Sequence, residues 1–238
     1  VSKLEASVAD AALAHARRDY PCEACGLVVI KKGRQVYMPC KNTDAQPEAQ
    51  FSIDPLDFAK CEEEGEVVAI FHSHPNASAQ PSSTDRSSCN ASDVPWHIVS
   101  LPIVEWVTLM PVDVRSMPLY GREFVHGTTD CYGFIQAWYQ QELGIELGDI
   151  VRSDEWWRHG ENLYLDNYAA QGMQLVTDGS LNHGDVLLMQ VLASVPNHAA
   201  IYLDGNVIAH HLYGRLSGRD VYGGYYKKHT THTLRHKR

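Results

Sequence analysis

With 238 residues, the chain has room for one or two domains that bury substantial cores, and two is the better reading. Hydrophobic residues make up 44% and charged residues 21%, as in ordinary globular proteins, and no apolar run approaches the roughly 20 residues that a membrane-spanning helix needs, so no integral membrane segment is expected. A formal net charge of −9 argues against broad nucleic-acid binding, which draws its affinity from Lys and Arg set against phosphates.

The opening Val1-Ser-Lys-Leu-Glu5 lacks the basic and apolar character of a secretion signal, so synthesis in a cytoplasm is expected. Leu4, Val8, Ala11, Ala12 and Leu13 recur at helical spacing and predict an amphipathic helix that ends near Tyr20-Pro21. Strands are expected at 26–30, 35–38 and 51–53, and Asp54-Pro55 marks the start of a helix that Gly65 stops. The run Val67 to Phe71 reads as a buried strand, as do 97–101 and 106–110. Helix and strand are thus mixed in an α/β unit with its site at strand ends. The Pro-flanked stretch 111–118 is the expected junction, dividing the chain into 1–115 and 116–238.

The six cysteines, Cys22, Cys25, Cys40, Cys61, Cys89 and Cys131, show no small-domain disulfide framework and suit a reducing compartment. Cys22 and Cys25 have no second pair at zinc-ribbon spacing and are read as packing residues. The C-terminal Lys227, Lys228, Arg235, Lys237 and Arg238, interleaved with His229, His232 and His236, are expected to form a solvated basic tail.

Directly after the strand ending at Phe71 come His72-Ser-His74, seven residues, Ser82, two residues and Asp85. Alternation on a strand puts His72 and His74 on one face. Two imidazoles and a carboxylate are the three-ligand set of a hydrolytic zinc centre, which binds such atoms at about 2.0–2.2 Å and leaves a fourth position open. This spacing resembles the JAMM (MPN-plus) metalloprotease family. The resemblance implies a cytidine-deaminase-like mixed sheet with helices, zinc held by His72, His74 and Asp85, Glu23 as the general base for water, and Ser82 as a donor to the developing oxyanion.

In the second half, Asp130 is a natural N-cap that places Cys131 in the first turn of a helix, where unpaired amides and the helix dipole favour a thiolate nucleophile. Downstream, His183-Gly-Asp185 begins a strand, and residues 197–211 read as a hairpin around Asp204-Gly205. A two-residue turn there sets His198 opposite His211, whereas a three-residue loop puts His198 and His210 on one face.

The Asp130-Cys131-Tyr-Gly133 start, the Gly184-Asp185 strand and His198-Ala-Ala-Ile-Tyr-Leu203 resemble the NlpC/P60 family of papain-like cysteine peptidases, an α+β fold. The resemblance implies Cys131 as nucleophile, His198 as general base and, from family spacing, His210 as the residue that orients it. Tyr120 falls near a family tyrosine that assists the oxyanion, with packing at the domain edge an equal reading. Tyr132 departs from the family's usual Ser, which bears on substrate fit.

The fusion of the two motifs, with Trp156-Trp157 and His210-His-Leu-Tyr213, resembles the lambda-like phage tail tip assembly protein K family over essentially the full length. That resemblance implies a virion tail-tip or tail-assembly location, other tail tip proteins as partners, bacterial murein stem peptides as substrate of the cysteine half during host penetration, and a tail or ubiquitin-like protein as substrate of the zinc half during assembly. The alternative from another class is a catalytically silent plug component of the tail tip.

Overall fold

The first half of the chain builds a mixed sheet around a strand that is apolar on both sides, β1 (Cys25–Lys31). In the computed structural model, which describes residues 4–153 and 155–237, β1 lies between β2 (Arg34–Cys40) and β3 (Glu66–Pro75) and is antiparallel to both. The sheet continues through β4 (Trp96–Leu101), parallel to β3, to β5 (Trp106–Leu109) at the far edge, giving the order β2-β1-β3-β4-β5. Contacts divide the chain into two compact units, Val1–Pro81 with Ser92–Pro111, and Ser82–Ala91 with Val112–Arg238.

Helix α1 (Ala6–Asp19) buries Val8, Ala12, His15 and Ala16, one face at i, i+4, i+7 and i+8. Ala11, placed on that face by its spacing, is exposed. Ala12 and Ala16 pack on Ala24, Phe71, Val99 and Leu101, so α1 covers one side of the sheet. Gly26 is required on that side: a Cβ would sit 2.5 Å from the Tyr37 hydroxyl. Cross-strand partners share a face, so Cys40, Cys25 and His72 form a row on the opposite side. Helix α2 (Pro55–Glu64) sends buried Cys61 to 4.0 Å from Cys40 there. Asp54 caps α2 through the Leu56 amide, Pro55 takes the first turn and Gly65 follows its end.

The strand expected at 51–53 is reduced to a single bridge, Asn42 to Ile53. Its backbone is engaged instead by the Asn42 side chain, which accepts from the Ser52 amide and donates to the Gln50 carbonyl, so a loop is pinned where a ladder would run. Between β3 and β4 the chain forms α3 (Ser83–Ser92).

The second half packs α4 (Cys131–Trp138), continued by a π-helical turn at Tyr139–Leu143, on a six-stranded antiparallel sheet. Two short elements, α5 (Leu163–Asn167) and β6 (Met173–Leu175), precede β7 (Val186–Met189), β8 (His198–Leu203), β9 (Val207–His210) and β10 (Gly218–Val221), and α6 (Gly224–His229) leads into β11 (Thr230–His236). The strand order is β10-β9-β8-β7-β11-β6. Phe134, Ile135 and Trp138 of α4 meet Val186, Leu188, Ile201 and Ala209 in the main core, while Leu187, Met189, Ala200 and Ile208 line the other face with Tyr222 and Tyr226.

The expected solvated tail is instead an inner strand of this sheet. The β-branched Thr230, Thr231 and Thr233 favour a strand over 230–236, Leu234 is buried, and Arg235 binds Asp185 through both carboxylate oxygens at 2.8 and 2.7 Å. Lys227 and Lys228 lie in α6, and of the basic residues expected in the tail only Arg238 falls outside the described residues. All told, the chain has a two-domain α+β architecture, a mixed sheet followed by an antiparallel one.

Candidate active sites

The first site is set by register. Cys25 pairs with His72, and the Ala24 amide donates to the Ser73 hydroxyl at 2.9 Å while the Ser73 amide donates to the Ala24 carbonyl at 3.0 Å. Glu23 lies two residues before Cys25, whose ladder partner is His72, and strand alternation puts His72 and His74 on the face opposite α1. Glu23 is buried, and its backbone is fixed by the Pro47 carbonyl and the Asn42 amide.

His72 is fully buried, stacked on Phe51 with centroids 4.6 Å apart and met edge-on by Trp96. His74 Nδ1 lies 2.7 Å from the Ser78 carbonyl, which only accepts, so Nδ1 carries the proton and Nε2 keeps a lone pair. That Nε2 sits 2.9 Å from His72 Nε2. Ligand atoms of His72, His74 and Asp85 all lie within 4.8 Å of one another. Two imidazole nitrogens and one carboxylate oxygen are a donor set that zinc accepts, so the residues present fit the ion.

Ser82 and Asp85 form a reciprocal cap on α3. The Asp85 carboxylate accepts from the Ser82 amide at 2.7 Å and hydroxyl at 2.8 Å, and the Ser82 oxygen accepts from the Asp85 amide at 3.1 Å. The two-residue interval between them is that of a capping box, which fixes the Asp85 rotamer through the helix start.

The second site begins at the cap of α4. Asp130 accepts from the Gly133 amide at 2.9 Å and the Gly127 amide at 2.9 Å, and pairs with buried Arg152 at 2.8 Å. Burial acts against the Asp130 charge, but Arg152 and these bonds hold its carboxyl below the usual range. Gly133 is required in this turn because a Cβ would lie 1.9 Å from the Thr128 carbonyl.

Cys131 is 8% exposed. Its sulfur is 3.0 Å from the Tyr164 hydroxyl and receives the Ala199 backbone amide, which sets it against the start of β8, whose first residue is His198. Burial, reinforced by the Asp130 charge, pushes the thiol up to about 11 against the help of Tyr164 and Ala199. Burial, with His210 and His211 adding, pulls His198 down to about 3. The resting pair is therefore a neutral thiol and a neutral imidazole, unlike the thiolate expected from a helix start alone.

Leu203 pairs with Val207, so the β8–β9 turn spans the three residues Asp204, Gly205 and Asn206. This register sets His198 and His210 on one face, and His198 Nε2 lies 2.8 Å from His210 Nδ1. His211 points elsewhere, 3.1 Å from the Arg215 carbonyl and edge-on to Phe124.

Tyr120 packs with its ring tilted against Phe134 of α4. Its hydroxyl accepts from Arg219 and the guanidinium lies over its ring. Tyr132, the departure from the family's Ser, is buried, with its hydroxyl donating to the Gly148 carbonyl at 2.6 Å and Arg152 over its ring. Tyr164 and Asp220, which touch the sulfur and His210 Nε2 respectively, were not identified from sequence, because each lies on an element separated from its partner in the chain. Asp185, in the Gly-Asp strand start, holds Arg235 of β11 and accepts from the Asn182 amide, so that motif ties the sheet together.

Comparison with known families assigns residues 5–118 to the prokaryotic homologs of the JAB domain and residues 121–235 to the NlpC/P60 family. The chain is 43% identical to tail tip assembly protein K of Escherichia phage N15, over 96% of this chain and 93% of that protein. It is 40% identical to tail tip assembly protein K of Escherichia phage lambda, over 78% and 89%. A CysO-cysteine peptidase of Mycobacterium tuberculosis is 33% identical over 41% of this chain and 71% of its own length.

Proposed function

The chain belongs to the tail tip assembly protein K family and carries a JAB-type and an NlpC/P60 domain, and on that premise we propose that it is a bifunctional peptide hydrolase of the phage tail tip. Residues 116–238 cleave murein stem peptides while the phage breaches the host wall. Residues 1–115 form a zinc peptidase that processes a tail or ubiquitin-like protein during assembly. The JAB-type relative named as a CysO-cysteine peptidase supports a peptide-bond substrate for that half.

The hydrogen-bonded His198–His210 pair beside the capped Cys131 carries the reading of the second half. As the sulfur attacks the scissile carbonyl, its proton passes to His198 and a carbon–sulfur bond forms. The amide of Cys131, in the first helical turn, has no intrahelical acceptor and is placed to donate to the oxyanion. His198 then protonates the departing amine, and in the second step takes a proton from the water that hydrolyses the thioester.

In the first half, His72, His74 and Asp85 would hold zinc, which when bound supplies Lewis-acid activation of water and of the scissile carbonyl. Glu23, buried two residues before the ladder partner of His72, accepts a proton from the attacking water and returns it to the leaving amine. The Ser82 hydroxyl, now bound to Asp85, is a donor for the oxyanion once it turns from the carboxylate.

Murein zymography of wild type and Cys131→Ala tests the cysteine half; clearing is expected only from wild type, and equal clearing by both sinks it. Metal analysis of wild type and the His72→Ala/His74→Ala double variant tests the zinc half, which fails if zinc content is the same in both.

A further inference from the structure

His210 lies between two partners. Its Nδ1 is 2.8 Å from His198 Nε2 and its Nε2 is 3.1 Å from Asp220 Oδ2, on the neighbouring strand β10. Nothing in the Cys-His-His motif calls for the carboxylate. Yet Asp220 is held in place from three sides: the same Oδ2 also accepts from the Tyr226 hydroxyl at 2.8 Å and from Arg215 at 3.1 Å. Tyr226 in addition stands edge-on to the His210 ring, at 5.0 Å and 89°. Among the described residues, Asp220, Tyr226, Arg215 and His198 are the charged and titratable groups that face His210.

We propose that Asp220 is a positioning residue for the cysteine site, which fixes the tautomers of His210 and, through it, of His198, so that Nδ1 of His198 is the basic atom. The proposal rests on reading Cys131, His198 and His210 as a peptidase site. An ionised carboxylate only accepts, so His210 Nε2 must carry a proton and donate to Asp220. His210 is neutral, because burial lowers it more than the Asp220 bond and charge raise it. Its Nδ1 is then a lone pair, and the 2.8 Å contact requires His198 Nε2 to be the donor. His198 is left with a single lone pair, on Nδ1, and that atom receives the thiol proton. Burial acts against the Asp220 charge, but the bonds from Tyr226 and His210 and the Arg215 charge keep its carboxyl below the usual range, so the acceptor persists at neutral pH.

The tautomers of both rings are read by long-range proton–nitrogen spectra of the full chain, in wild type, Asp220→Ala and Asp220→Asn, beside kcat and KM on a murein stem peptide. Wild type is expected to show Nε2–H alone at both rings. Asp220→Asn turns its carbonyl oxygen toward the donors of Tyr226 and Arg215, keeps an acceptor for His210 and retains the pattern. Asp220→Ala is expected to mix tautomers at His210 and His198 and to lower kcat on the order of ten- to a hundredfold, as loss of an outer hydrogen-bond partner does, with KM unchanged. The wild-type pattern at both rings in Asp220→Ala overturns the proposal, whatever the rates. Equal activity of wild type and Cys131→Ala would instead overturn the peptidase reading, and the spectra would still decide the role of Asp220.

Discussion

Helix α3 opens at Ser82, whose oxygen accepts from the Asp85 amide at 3.1 Å, and helix α4 opens at Asp130, whose carboxylate accepts from the Gly133 amide at 2.9 Å. Both caps stand beside a candidate site, but they are supported differently. Ser82 is bound by its own helix, and the group it orients, Asp85, lies three residues on. Asp130 is bound by Arg152, 22 residues away, and the cysteine it places is completed by Tyr164, by the Ala199 amide on β8 and, beyond these, by His198, His210 and Asp220. A metal-ligand set that lies within 14 residues of chain, 72–85, depends on one strand end and one helix start. A site drawn from five elements depends on the register of a whole sheet.

The sharpest break of this comparison is a crossed experiment on the two chemistries. Cys131→Ala is expected to abolish murein clearing and keep the zinc content, while His72→Ala/His74→Ala is expected to lose zinc and keep the clearing. Loss of both properties in either variant would show that the sites are not separate machines.

This difference also governs what could be read in advance. The zinc motif was legible because strand alternation and a capping box are local rules, and β1, β2, β3 and the Asp54-capped α2 were legible for the same reason. Glu23 needed context, since it precedes β1 and lies far along the chain from the histidines at the end of β3. In the second half, Asp130 and Cys131 showed themselves through helix-start chemistry, and the choice between His210 and His211 hung on a single turn residue. Asp220, Tyr164 and Arg152 carry no local signal, because their partners lie 10, 33 and 22 residues away. The thiolate expected at Cys131 followed from the helix start alone; burial, visible only in the fold, and the charge of the preceding Asp130 act the other way. The C-terminal strand was missed because its charges were counted before the Asp185 partner of Arg235 could be known.

The long-range cap is expected to be the costlier one to lose. Asp130→Ala leaves the buried Arg152 charge without its partner and two amides without an acceptor, and removing one member of a buried pair costs about 3–5 kcal/mol. Urea unfolding checks this; a midpoint within error of wild type would show that the ion pair does not hold α4 in place.

The protonation states separate the two halves further. A thiol at about 11 predicts that trapping of Cys131 by iodoacetamide speeds up about tenfold per pH unit between pH 7 and 10, because the thiolate is the reacting form. A rate already level at pH 6, measured in a Cys22→Ser background, would restore the thiolate expected from the helix start. His198 acts on stability with a definite sign. Its folded value, about 3, lies below its ordinary 6.5, so between these the unfolded chain binds a proton that the folded chain refuses, and stability falls as pH drops from about 6.5 toward 3. His198→Gln is expected to flatten that part of the pH–stability curve.

The smallest expected effect is at Ser82, and it decides what that hydroxyl is for. Ser82→Ala removes the acceptor for the Asp85 amide and one donor to the Asp85 carboxylate, a cap loss of about 1 kcal/mol. If the hydroxyl serves to aim Asp85, zinc affinity measured by chelator competition falls on the order of tenfold, as for other partners that orient a ligand. Ser82→Thr keeps the hydroxyl and should restore both quantities. If the hydroxyl serves the oxyanion instead, zinc affinity stays near wild type while peptide cleavage by the first half drops on the order of a hundredfold, the usual cost of one such donor. The two outcomes are exclusive in the zinc titration, because both polar functions of Ser82 are engaged by Asp85 at rest and the oxyanion role requires the hydroxyl to turn away.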